Sequence, residues 1–126
     1  GRMEIRKLFF DTYALLEIIK GSQNYDPYRE NMVFLTTKLN LMEMHYVLLR
    51  TVGKEEADKH YEWLVDFSVE VDDEVIKAAN DLKLFLKDKN LSYIDCIGYI
   101  IAKTAGVKFL TGDRQFKDLE NVEFVK

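Results

Sequence analysis

About five times in 126 residues the chain alternates between a short apolar run and a longer segment with helical periodicity. That alternation restricts the fold more than any other feature. A helix inserted between two strands carries the chain back across the sheet, so successive strands run parallel, with helices packed on the sheet faces. The apolar runs cover residues 7–11, 32–37, 67–71, 107–111 and 122–125. The helical segments cover residues 12–20, 38–51, 55–65, 73–89 and 93–105, with a short helix or loop over 25–31. Gly21 and Gly106 stand where helix stops are expected, and Ser92 stands where an N-cap is expected.

There are no repeats, low-complexity stretches or linkers, so a single domain over residues 3–126 is expected. Gly1-Arg2 ahead of Met3 reads as a cloning remnant. Apolar residues make up 48% and charged residues 32%, which excludes a mostly disordered chain. One cysteine, Cys96, forbids an internal disulfide and argues against a thiolate zinc site. With no membrane-length apolar run and no signal-peptide pattern, a cytoplasmic protein is the simplest expectation. A net charge of -4 argues against a sequence-independent nucleic-acid coat, which is usually basic.

A parallel sheet presents its ligand site at the carboxyl ends of its strands. Asp11 ends the first apolar run and Asp113 follows the fourth after one glycine. Glu43 is the only formally charged residue between Lys38 and Arg50, and Asp95 the only one between Asn90 and Lys103. A carboxylate in such apolar surroundings must be paired, protonated or bound to a cation. Lys103 lies eight residues beyond Asp95, roughly 12 Å along a helix. Several acids converging without a base is the donor set of a hard divalent ion such as Mg²⁺ or Mn²⁺. Such ions activate water and stabilise the leaving oxygen of a phosphodiester.

Each acid also has a purely structural explanation. Asp11 fits an N-cap for the helix from Thr12, and Ser92-Tyr93-Ile94-Asp95 fits a capping box. Asp113 after Gly112 fits a turn. Glu43 is the hardest to explain this way, although a hydrogen bond from a Thr or Tyr would satisfy it. His45 lies two residues from Glu43, on a different side of the helix, and shares no metal spacing with His60. Cys96 reads as a small buried hydrophobe.

These segments resemble the PIN domain nucleases, in particular the small VapC-type toxins of prokaryotic toxin–antitoxin pairs. The resemblance runs from about Lys7 to Val125. It is carried by Leu8-Phe9-Phe10-Asp11-Thr12, Asn40-Leu41-Met42-Glu43-Met44, Leu91-Ser92-Tyr93-Ile94-Asp95-Cys96 and Leu110-Thr111-Gly112-Asp113-Arg114-Gln115-Phe116. The last two motifs, with their acids 18 residues apart, are the most specific. The resemblance implies a three-layer α/β/α sandwich with a five-stranded parallel sheet. It also implies a metal-dependent endoribonuclease with Asp11, Glu43, Asp95 and Asp113 as catalytic metal ligands and Thr12 and Thr111 in support. Asp11 and Asp95 would hold the principal ion, with Glu43 completing the site and Asp113 more peripheral. Water, not a side chain, would be the nucleophile. A homodimer and a small antitoxin that covers the site follow from the same resemblance.

Lys103, Arg114 and Lys117 are candidate phosphate contacts, against the plainer reading of solvated surface charge. The helix over 38–51 is apolar almost all round, which marks a buried helix or an interface that Tyr61 and Trp63 would extend. Three rival readings compete for the same residues. A haloacid-dehalogenase-like phosphatase with Asp11 as nucleophile wants a second acid where Tyr13 stands. A receiver-like signalling domain lacks its early acidic pair. A non-catalytic PIN fold that binds RNA stays open, as does DNA in place of RNA.

Overall fold

The computed structural model describes residues 4–126, so Gly1-Arg2, expected to be a cloning remnant, and Met3, where the domain was expected to begin, lie outside the described residues. The chain forms β1 (Arg6–Phe10), α1 (Thr12–Lys20), β2 (Met32–Thr37), α2 (Lys38–Thr51), α3 (Lys54–Leu64), β3 (Ser68–Val69), α4 (Asp73–Phe85), α5 (Tyr93–Ala105), β4 (Lys108–Thr111) and β5 (Val122–Phe124). Short 3₁₀ turns occupy Gln23–Tyr28, Val65–Phe67 and Arg114–Phe116.

All five strands pair in parallel in the order β3-β2-β1-β4-β5. Side chains alternate across a strand, and β1 feeds both faces of the sheet. Leu8 and Phe10 join a core with α1, α2 and α3, whereas Phe9 joins a second core with α4 and α5. This is the expected α/β/α sandwich. Phe9 and Phe109 stack at 5.6 Å, and Phe10 meets Phe34 edge-on at 4.3 Å. Each such pair is worth about 0.5–1.5 kcal/mol beyond the apolar area it buries. α5 rides close to the sheet because Gly98 has no side chain; a Cβ there would lie 2.8 Å from the Phe9 ring.

Both helix stops read from glycine are present: Gly21 (φ 76°) and Gly106 (φ 70°) adopt the left-handed conformation and return their N–H groups to the last carbonyls of α1 and α5. Two expected lengths are corrected. The alternating run over 67–71 contributes only Ser68 and Val69 to the sheet, paired with Thr36 and Thr37. Phe67 is held back in a 3₁₀ turn, its ring packed on Phe34 and Trp63. α4 ends at Phe85, short of residue 89, although the polar residues that follow would tolerate a helix. The chain turns there, Lys89 N–H bonding Leu86 C=O at 2.8 Å, and Leu91 is delivered to the core at 3% exposure. Among the described residues no helix is long and apolar enough to cross a membrane.

Candidate metal centre

β1 and β4 are neighbours, but the chain leaves β1 towards one face and reaches β4 from the other. The carboxyl ends of these strands therefore open a crevice, the position where parallel sheets hold ligands. A cleft of about 540 Å³ occupies it. Asp11, Glu43, Asp95 and Asp113 all line this cleft, with Thr12 and Gly112. Four segments distant in sequence thus bring their acids to one place.

Asp11 continues the β1–β4 pairing through its N–H to Leu110 C=O at 3.2 Å. Its Oδ1 accepts the Ala14 N–H at 2.8 Å, so it does cap α1. It is only 4% exposed. Burial pushes its carboxyl up to about 7. Hydrogen bonds from Thr111 and Ala14 oppose that rise, and the charges of Asp95 and Asp113 add to it. Thr111, fully buried, sits beside two acids: its side chain holds the Asp11 carboxyl down against burial, and its Oγ1 accepts the Asp113 N–H at 3.0 Å.

Glu43 projects from the middle of α2 and accepts a 2.6 Å hydrogen bond from the Thr12 hydroxyl. Asn40 donates in turn to Thr12 Oγ1 at 3.2 Å, and Thr37 donates to Asn40 Oδ1 at 2.6 Å. Asp95 forms the expected capping box: its Oδ2 accepts the Ser92 N–H at 3.0 Å and its own N–H bonds Ser92 Oγ at 3.1 Å. Burial raises its carboxyl, hydrogen bonding from the Ser92 N–H and from the Ser92 side chain lowers it, nearby Asp113 raises it and Lys83 lowers it. Asp113 caps the following 3₁₀ turn through Gln115 N–H at 3.0 Å. The structural and functional readings of these acids are thus compatible, since a cap uses only part of a carboxylate's accepting capacity.

Of the candidate phosphate contacts, Arg114 lines the cleft. Lys103 is not brought there: it lies at the far end of α5, paired with Glu120 at 2.8 Å. Lys117 stands 5.6 Å over the Phe124 ring and is not among the cleft's lining residues. Four contributors escaped the sequence reading. Tyr13, Val47 and Lys126 line the cleft, with the Lys126 ammonium 5.5 Å over the Tyr13 ring. Buried Asn40 bridges Thr37 and Thr12; its polarity in an otherwise apolar helix was the available signal.

Oxygen-only donors on one wall, with the most buried of them unpaired to any base, suit a hard divalent cation. Among the described residues no three acidic, His or Cys side chains already converge as a ligand set. Asp11, Asp95 and Asp113 each accept from a backbone N–H two or three residues away, and Glu43 accepts from Thr12 across the α1–α2 contact.

The PIN domain family's sequence model matches residues 8–122, and the chain belongs to that family. No curated protein sequence matches it. Among solved structures it is similar to VapC20 of Mycobacterium tuberculosis, a sarcin–ricin-loop-cleaving toxin, with TM-score 0.75 and 16% identity over 94% of this chain and 99% of that one. A toxin–antitoxin complex from Klebsiella pneumoniae superposes with TM-score 0.74 and 14% identity, over 92% and 95% of the two chains. VapBC2 of Rickettsia felis, bound to a DNA fragment from its promoter, gives 0.69 and 14%, over 95% and 99%.

Proposed function

We propose that this protein is a divalent-metal-dependent endoribonuclease of the VapC type, acting through Asp11, Glu43, Asp95 and Asp113. The observation that carries the reading is Asp11: buried at the β1–β4 crevice beside the charges of Asp95 and Asp113, and, among the described residues, in no ion pair with the Arg114 and Lys126 that also line the cleft. Mg²⁺ or Mn²⁺, when bound, supplies an activated water and charge stabilisation at the scissile phosphate. Asp11 and Asp95 provide the principal ligand oxygens, and Glu43 completes the site or orients the water. Thr12 and Thr111 hold Glu43 and Asp11 in place, while Arg114 offers a positive contact to a flanking phosphate.

The four site carboxylates, when all ionised, carry -4, equal to the chain's net charge, so in that state the cleft without an ion repels phosphate and the loaded one attracts it. The reading takes residues 3–126 as one cytoplasmic domain. α2 turns Met42, Tyr46 and Leu49 to solvent, and these apolar side chains are the proposed contact for a second copy or for a small antitoxin.

The test is cleavage of a mixed RNA panel with Mg²⁺ or Mn²⁺, beside EDTA and Asp95→Asn controls, with metal binding followed by calorimetry. Cleavage lost in both controls supports the reading. A folded protein that neither cuts RNA nor binds the ion overturns the reading and leaves the alternative of a non-catalytic PIN fold that binds RNA.

A further inference from the structure

A second cleft, of about 400 Å³, is lined by Lys83, Lys87, Lys89, Tyr93, Leu84 and Asn80. It stands out in an acidic protein. Three ammonium groups border it, and among the described residues none of them has an ion-pair partner. Asp81 and Asp88 belong to the same stretch but do not line it. Tyr93 is 59% exposed and presents its ring there, with the Lys83 ammonium 4.9 Å from the ring centroid. Lys83 also donates to the Leu91 carbonyl, which anchors the loop carrying Lys87 and Lys89.

This cleft adjoins the carboxylate cleft in two ways. Tyr93 opens α5 two residues before Asp95, so the first turn of that helix forms the ridge between them. Gln115 forms the second link. Its backbone N–H bonds Asp113, while its side-chain amide exchanges two hydrogen bonds with the Asn90 backbone, next to Lys89.

We infer that the Lys87–Lys89–Tyr93 cleft is a subsite for single-stranded RNA beside the scissile bond, in which Tyr93 stacks a base and Lys87 and Lys89 neutralise backbone phosphates. The inference rests on the nuclease reading and specifies how that site takes its substrate. Aromatic stacking with a lysine-lined backbone track is the general chemistry of single-strand binding, because every base has a π-face and every linkage a charge. An unpaired strand fits better than a duplex, whose bases are already stacked on each other.

The experiment compares wild type with Lys87→Ala/Lys89→Ala and Tyr93→Ala, all exposed or half-exposed positions, with folding checked by circular dichroism. Each is assayed with Mg²⁺ on a short labelled single-stranded RNA and on a chromogenic phosphodiester too small to reach the second cleft. RNA binding is read by anisotropy with Ca²⁺ replacing Mg²⁺. The expected result is a roughly tenfold weaker RNA interaction for each variant, as a raised KM and Kd, with hydrolysis of the small diester unchanged. The double lysine variant also loses about 1.4 from the salt slope of binding, whereas Tyr93→Ala keeps the slope. Wild-type RNA cleavage with unaltered KM in the variants overturns the subsite and leaves the nuclease standing. Lysine-dependent RNA binding without hydrolysis of either substrate by wild type keeps the cleft as an RNA contact but overturns the nuclease and, with it, the place of the cleft beside a scissile bond. Neither binding nor hydrolysis overturns both.

Discussion

The Thr12 hydroxyl donates a 2.6 Å hydrogen bond to Glu43, joining the first turn of α1 to the middle of α2. Asn40 and Thr37 complete a chain of donors behind it. Partners that aim a ligand are worth about 10–100-fold in metal affinity or activity. Thr12→Val keeps the shape and removes the donor. Metal affinity by calorimetry is expected to fall about tenfold, with a stability loss near 1 kcal/mol. An unchanged affinity would detach Glu43 from the site.

Asp11 gives the metal-free protein a definite pH dependence. Its folded pKa of about 7 exceeds its ordinary 3.8. Between these values the native state keeps a proton that the unfolded chain has released, so stability declines as pH rises from about 4 to about 7 and stays reduced above. The decline attributable to Asp11 is of order 4 kcal/mol at about 1.36 kcal/mol per pH unit. Asp11→Asn removes it: in EDTA the variant is expected to match wild type near pH 4 and exceed it by about 2–4 kcal/mol near pH 8, as read by denaturant unfolding. Saturating Mg²⁺ should close that gap from the wild-type side.

Gly112 separates Thr111 from Asp113 and lies under the Tyr13 ring, where a Cβ would come within 2.1 Å of Cε1. Gly112→Ala is expected to cost about 1–3 kcal/mol by forcing that ring aside. Combining it with Tyr13→Ala should recover most of the loss relative to Tyr13→Ala alone. A double-mutant cycle on thermal unfolding measures this, and strictly additive effects would place the strain elsewhere.

Ser92→Ala dissolves half of the capping box at the start of α5. About 1 kcal/mol of stability should go with it. Because Ser92 pulls the Asp95 carboxyl down, its loss should move the acid-side limb of any metal-dependent activity to higher pH. A pH–rate profile coincident with wild type would argue against that coupling.

Most of the fold was legible because contiguous apolar strands and glycine stops leave local marks. Phe9 and Phe10 read as strand, and Gly21 and Gly106 as stops, from neighbours alone. β3 was overestimated because alternation in residues 67–71 reports exposure and not pairing; Phe67 spends its ring on Phe34 and Trp63 outside the ladder. The four acids drew attention because their surroundings in sequence are apolar, and the cleft contains all of them. Bases were harder to read. Lys103 looked available until Glu120 arrived from the loop before β5, and Lys83 reaches the neighbourhood of Asp95 from another helix. Long side chains find their partners through tertiary structure, which sequence neighbours do not report.

The order β3-β2-β1-β4-β5 also governs timing. β1 is made almost a hundred residues before its neighbour β4, and the acids at 95 and 113 come with that later portion. Until then the Asp11 edge of β1 has no strand beside it and half of the acidic wall is missing. A chain synthesised only as far as α4 therefore lacks two of the four acids, and the cleft cannot be assembled until β4 and the turn after it have closed on β1.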